Sequence, residues 1–119
     1  RQTGIGSQMG LPMNRHPATG VEIVFTTTDT MELAKKIAEK AVSMKLSACV
    51  QISGPLTSTY TWKGKVQSEQ EYRMDFKIES ANRADLYKLI KELHTYDLPE
   101  IMTIPVVDGS IEYLAWVKN

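Results

Sequence analysis

The residues of this chain that could do chemistry fall into four small groups. His94, Tyr96 and Glu100 sit together in HTYDLPE, and imidazole and carboxylate are both metal ligands. They are also two donors where a closed site needs about four. The same histidine could simply favour a helix C-terminus, with Tyr96 and Pro99 packing the loop. Cys49 is the single cysteine, read either as a small buried hydrophobe or as a soft ligand. Glu69, Glu71, Arg73, Asp75 and Lys77 alternate as a charged stripe. That stripe is a solvated sheet face or an ion-pair network between subunits. Tyr60 and Trp62 stand two apart, and rings of this kind anchor protein contacts more often than cofactors. An enzyme built on Lys77, Glu71 and His94 is the weakest alternative, because no phosphate loop, GxSxG or HExxH accompanies them. The expectation is a non-enzymatic protein.

Positioning these groups requires several elements. Val21, Ile23 and Phe25 alternate along a first strand. Asp29 and Glu32 resemble a capping box for a helix carrying Leu33, Ala34, Ile37, Ala38 and Ala41. LSACVQIS is a second strand, which Gly54-Pro55 breaks or bends. LTSTYTW and EYRMDFKIE read as a long hairpin around Lys63-Gly64-Lys65, with Tyr72, Met74, Phe76 and Ile78 facing the core. Its outer part should extend past the first and last strands. Asn82 is placed to cap a second helix bearing Leu86, Leu89, Ile90 and Leu93. Ile101 to Val107 supplies a last strand interrupted by Pro105, and Ile111, Leu114 and Trp116 mark a short C-terminal helix. The order β-α-β-β-α-β is the split-βαβ, ferredoxin-like pattern. It predicts an α+β sandwich: a four-stranded antiparallel sheet with two helices on one face. The other face, half polar and uncovered, predicts a homo-oligomer.

Composition narrows the partners. Lys+Arg and Asp+Glu are both 14, for a formal net charge of zero, which argues against nucleic acid and acidic membranes. One cysteine forms no internal disulfide, and no apolar run is long enough for a membrane helix, so a cytoplasmic setting is expected. Residues 1–20 read as a tail, with native sequence expected to begin near Met9 or Met13, and its His16 as inert. Residues 21–119 are the domain.

LSACVQI, STYTWKGKVQSEQEY, HTYDLPEI, IPV and YLAW together resemble the CutA divalent-cation-tolerance family, over about Val21 to Val117. The resemblance implies a tight homotrimer with hairpin strands pairing between subunits. It also implies a role in tolerance of divalent metals, with copper binding in some members. Carried over by position, His94 and Glu100 are the candidate metal ligands, with Cys49 at the second-strand cysteine position. Tyr60, Trp62, Lys65, Glu71, Lys77, Tyr96 and Trp116 are the candidate cleft or interface residues. No cofactor is required, and a divalent cation, copper or zinc, is the candidate ligand. Departures matter: Thr26-Thr27-Thr28 stands where many members carry a cysteine, Thr95 where proline is common, and Gln51 where asparagine is common. Without that thiol a soft Cu(I) site is weakened, leaving a donor set that suits Cu(II) or Zn(II). The PII signalling proteins share a related trimer architecture, so a small-ligand or adaptor module is the rival reading.

Overall fold

The computed structural model describes residues 18–119; the expectations for residues 1–17, His16 included, fall outside them. Four strands and three α-helices follow in the order β1 (Val21–Thr28), α1 (Met31–Ser43), β2 (Cys49–Trp62), β3 (Lys65–Glu79), α2 (Arg83–Leu93), β4 (Met102–Pro105) and α3 (Ile111–Val117). The sheet is antiparallel throughout, in the order β2-β3-β1-β4. This is the expected α+β, split-βαβ architecture. Over the inner part of β3 every second residue (Met74, Phe76, Ile78) is buried with Val24 of β1 against Ala34, Ile37 and Ala41 of α1 and Leu86, Leu89 and Ile90 of α2. The alternation read from the sequence is therefore the alternation of the core.

Local details differ from expectation in ways that physics explains. Thr30, not Asp29, caps α1: its hydroxyl accepts the Leu33 N–H at 3.1 Å. Both residue types can cap, but only Thr30 sits one residue before the first helical turn. Asn82 makes no side-chain cap bond to α2 and instead donates to the Lys45 carbonyl. A 3₁₀ turn over Ser80–Asn82 leads into that helix. Gly54-Pro55 does not end a strand. β2 runs through it with one register shift between Ser53 and Leu56, a bulge. Gly54 has φ +137°, and a Cβ there would lie 2.9 Å from the Glu71 carbonyl oxygen, so only glycine fits. The hairpin closes on Lys63 and Gly64, both with positive φ, as a two-residue type I′ turn requires.

Helix α3 packs on the sheet face opposite α1 and α2, with the Lys77 ammonium 5.6 Å from the Tyr113 ring centroid. Val117 is its buried residue; Ile111 is 81% exposed and Trp116 52%. Of the expected stripe Ile111, Leu114 and Trp116, Leu114 is half-buried and the other two are exposed within one chain, because Val117 turns inward instead.

Candidate functional site

The outer part of the β2–β3 hairpin pairs only with itself. Seven rungs, from Leu56↔Glu71 to Trp62↔Lys65, extend beyond β1, which ends opposite Tyr72. At the base of this overhang the loop between α2 and β4 comes round the end of the sheet. His94 fixes that loop. Its Nε2–H donates to the Thr27 carbonyl at 2.7 Å, and its Nδ1 accepts the Tyr96 N–H at 3.2 Å. A carbonyl can only accept, so this pattern is that of the neutral Nε2–H tautomer. The Tyr96 ring stacks at a tilt 4.8 Å from His94, and its hydroxyl donates to Glu71 Oε2 at 2.8 Å.

Glu71 is 7% exposed. The solvated-stripe reading of this residue is corrected: β3 carries it under the loop, where a phenol satisfies one oxygen. The partnership shows in Tyr96, whose phenol is pushed well above its usual range, first by burial and then by Glu71. Tyr60 likewise donates to Glu69, and that bond holds its phenol above the usual value.

Overhang, loop and the end of β1 enclose a cleft of about 800 Å³. Four carboxylates line it: Glu69, Glu71, Asp97 and Glu100. So do three aromatic rings, Tyr60, Trp62 and Tyr96. Among the described residues, no lysine, arginine or histidine is part of the lining. His94 stands behind it, with both ring nitrogens engaged. Of the residues singled out from sequence, Tyr60, Trp62, Glu69, Glu71, Tyr96 and Glu100 therefore meet in one place.

The others do not meet there. Lys77 donates to Gln51 on the α3 side of the sheet, so Lys77, Glu71 and His94 form no common site. Cys49 is half-buried and pairs with Lys77 across β2 and β3. Lys65 is at the hairpin tip and Trp116 on α3. Thr27 and Asp97, which sequence reasoning missed, reach the cleft through the loop's path round the sheet edge. The hydrogen bond from His94 to β1 that fixes this path has no local signature.

The model of the CutA1 divalent ion tolerance protein family matches residues 22–119. The chain belongs to that family. Among CutA relatives, it is 38% identical over 98 residues to the divalent-cation tolerance protein CutA of Thermus thermophilus, covering 82% of this chain and 95% of that protein. It is equally identical over 97 residues to the chloroplastic Protein CutA of Arabidopsis thaliana. There the match covers 82% of this chain and 53% of the relative, so the chain spans about half of the plant protein's length. The solved Thermus CutA1 structure superposes with a TM-score of 0.80 at 38% identity, covering 82% of this chain and 95% of that one. CutA1 from Oryza sativa gives 0.80 at 33%, covering 84% and 94%. The CutA1 match thus takes in the overhang, the loop and the cleft, and excludes most of the first 20 residues.

A closed transition-metal site does not fit one chain. The lining has no thiol, His94 would have to surrender a hydrogen bond to ligate, and no group of three or more His, Cys, Asp or Glu converges among the described residues. An open site does fit, in which carboxylates hold an ion that keeps part of its water shell.

Proposed function

We infer that this chain is a non-enzymatic, homotrimeric divalent-cation-tolerance protein that takes up a divalent metal ion weakly in the acidic cleft. The observation that carries the reading is the cleft lining: four carboxylates and no cationic side chain. Such a surface concentrates cations and repels anions. It therefore favours metal over the anionic metabolites that a PII-like module would take. Glu100, expected as a ligand, is one of four separate carboxylates that act on the ion largely across its water shell. His94, the other expected ligand, holds the loop that presents them. Carboxylate oxygens without thiolates accept Zn(II) or Cu(II) loosely.

Assembly is supported by exposed apolar side chains that a soluble protomer would not keep in such number. Val66 of the overhang, Met102 and Ile104 of β4, and Ile111 and Trp116 of α3 all face solvent in one chain. Large apolar side chains left exposed on three elements support a protein contact, and the family resemblance supplies the three-fold order.

Native mass spectrometry of the full chain with a small excess of Cu(II) or Zn(II) tests both parts. The expected result is the mass of three chains with loosely held ions, lost in a Glu69→Gln/Glu100→Gln variant that still assembles. A trimer that takes up no ion would overturn the metal reading. A monomer would overturn the assembly.

A further inference from the structure

The cleft holds more than oxygen donors, and its aromatic half is of no use to a metal ion. Tyr60 and Trp62 lie two residues apart on one strand, so both rings rise from the same face of the overhang. They are 37% and 41% exposed and line the same space as the carboxylates. Tryptophan is the best ring for a cation, and both rings also offer apolar area to methylene groups.

Glu71 adds a second, independent observation. It is more than nine-tenths buried and lines the cleft. One of its oxygens takes the Tyr96 hydroxyl. Among the described residues the other has no hydrogen-bond partner, and no basic side chain lies within salt-bridge distance of the carboxylate. That second oxygen opens on the cleft rather than being sealed in the protein, and a cation in the cleft supplies the counter-charge that no side chain among the described residues provides.

The spacing of the donors then selects the kind of cation. A metal ion needs its ligands to converge on one point at roughly 2.0–2.6 Å, and here they do not. The carboxylates are spread along the walls: Glu69 and Glu71 on β3, Asp97 and Glu100 on the loop. A volume of about 800 Å³ is also that of a small-molecule site rather than an ion site.

We propose that the cleft binds a small alkyl diammonium cation. Its two ammonium groups rest on carboxylates of opposite walls, and its methylene chain lies on Trp62 and Tyr60. The proposal rests on the reading of this cleft as a cation site and names an organic occupant for it.

Isothermal titration of the full chain near neutral pH tests it, with 1,4-diaminobutane as probe and 1,4-butanediol as the uncharged control of equal length. Zn(II) is titrated separately. The diamine binds and the diol does not. Trp62→Ala weakens the diamine about tenfold, the scale of a desolvated cation–π contact, and leaves Zn(II) uptake unchanged. Glu69→Gln weakens both. Both side chains are exposed in one chain, and native mass spectrometry of each variant checks that it assembles as wild type does. Zn(II) binding without diamine binding overturns this proposal and leaves the metal reading. Diamine binding without Zn(II) overturns the metal reading and leaves this one. Diamine binding indifferent to Trp62→Ala overturns the proposal. Binding of neither overturns both and assigns the cleft to side chains of a second copy.

Discussion

Replacing Tyr96 by phenylalanine removes one oxygen atom and, among the described residues, the only hydrogen bond on the Glu71 carboxylate. A hydrogen bond to a charged group contributes about 1.5–3 kcal/mol net. Glu71 is 7% exposed, so little water replaces the lost donor. The expected cost of Tyr96→Phe is therefore about 2 kcal/mol. For a chain of 119 residues, with an unfolding entropy of about 2.1 cal/mol/K per residue, this lowers the melting midpoint by about 8 °C. The assay is urea unfolding at fixed protein concentration, because assembly makes stability concentration-dependent. A cycle with Glu71→Gln isolates the pair. Glutamine removes the buried charge but still accepts from the phenol, so Tyr96→Phe should cost less in that background, with a coupling of about 1 kcal/mol or more. Singles that add within about 0.5 kcal/mol, or a Tyr96→Phe loss below that figure, would refute the reasoning. The Glu71 carboxylate would then be satisfied by solvent, and the loop held by His94 alone.

The same bond has an alkaline signature. The Tyr96 phenol is raised in the folded state, so its contribution is complete below the ordinary tyrosine range, about pH 10, and is lost as pH rises above it. Wild-type stability should fall through that window more steeply than that of Tyr96→Phe. Thr26→Val should stabilise by about 1 kcal/mol or more in urea titrations, because the Thr26 hydroxyl is buried without a partner among the described residues. Gly54→Ala should destabilise by about 2 kcal/mol or more, given its φ of +137° and the Glu71 carbonyl 2.9 Å from the added Cβ. Thermal melts against wild type check this, and a loss below about 0.5 kcal/mol would mean the bulge relaxes. Arg83 grips Glu22 through two bonds of 2.8 and 2.7 Å and lowers the Glu22 carboxyl. Its contribution is present above about pH 4.5 and lost as pH falls below that. The stability gap between wild type and Glu22→Gln should accordingly close in acid.

Much of the fold was legible because its signals are periodic. The strict alternation from Tyr72 to Ile78 and the Ala-rich stripe of α1 each reflect one face meeting one core. The Lys63-Gly64 turn was legible for a different reason: positive φ at both positions leaves little choice of residue. Less legible was whatever depends on contacts distant in sequence. Glu71 looks like any charged strand residue until the loop from His94 to Glu100 is seen to fold over it. His94 looks like a ligand until Thr27 and Tyr96 are seen to occupy both nitrogens. Gly54-Pro55 carries a break signal, and only its pairing with β3 shows a bulge. Ile111 and Trp116 fit a buried stripe by spacing, yet the inward side of this two-turn helix is taken by Val117 and the half-buried Leu114 three residues before it.

The hairpin overhang has one more consequence. Seven rungs at about 3.3 Å each form an arm of roughly 23 Å whose length the core does not set. Its first rung beyond the core is Leu56↔Glu71 and its end is the Lys63-Gly64 turn. Removing two residues from each strand together shortens the arm while keeping every remaining side chain on its own face. Arm length is thus an adjustable dimension of this protein. It can be trimmed or extended in steps of two rungs, changing how far the molecule reaches without altering how it folds.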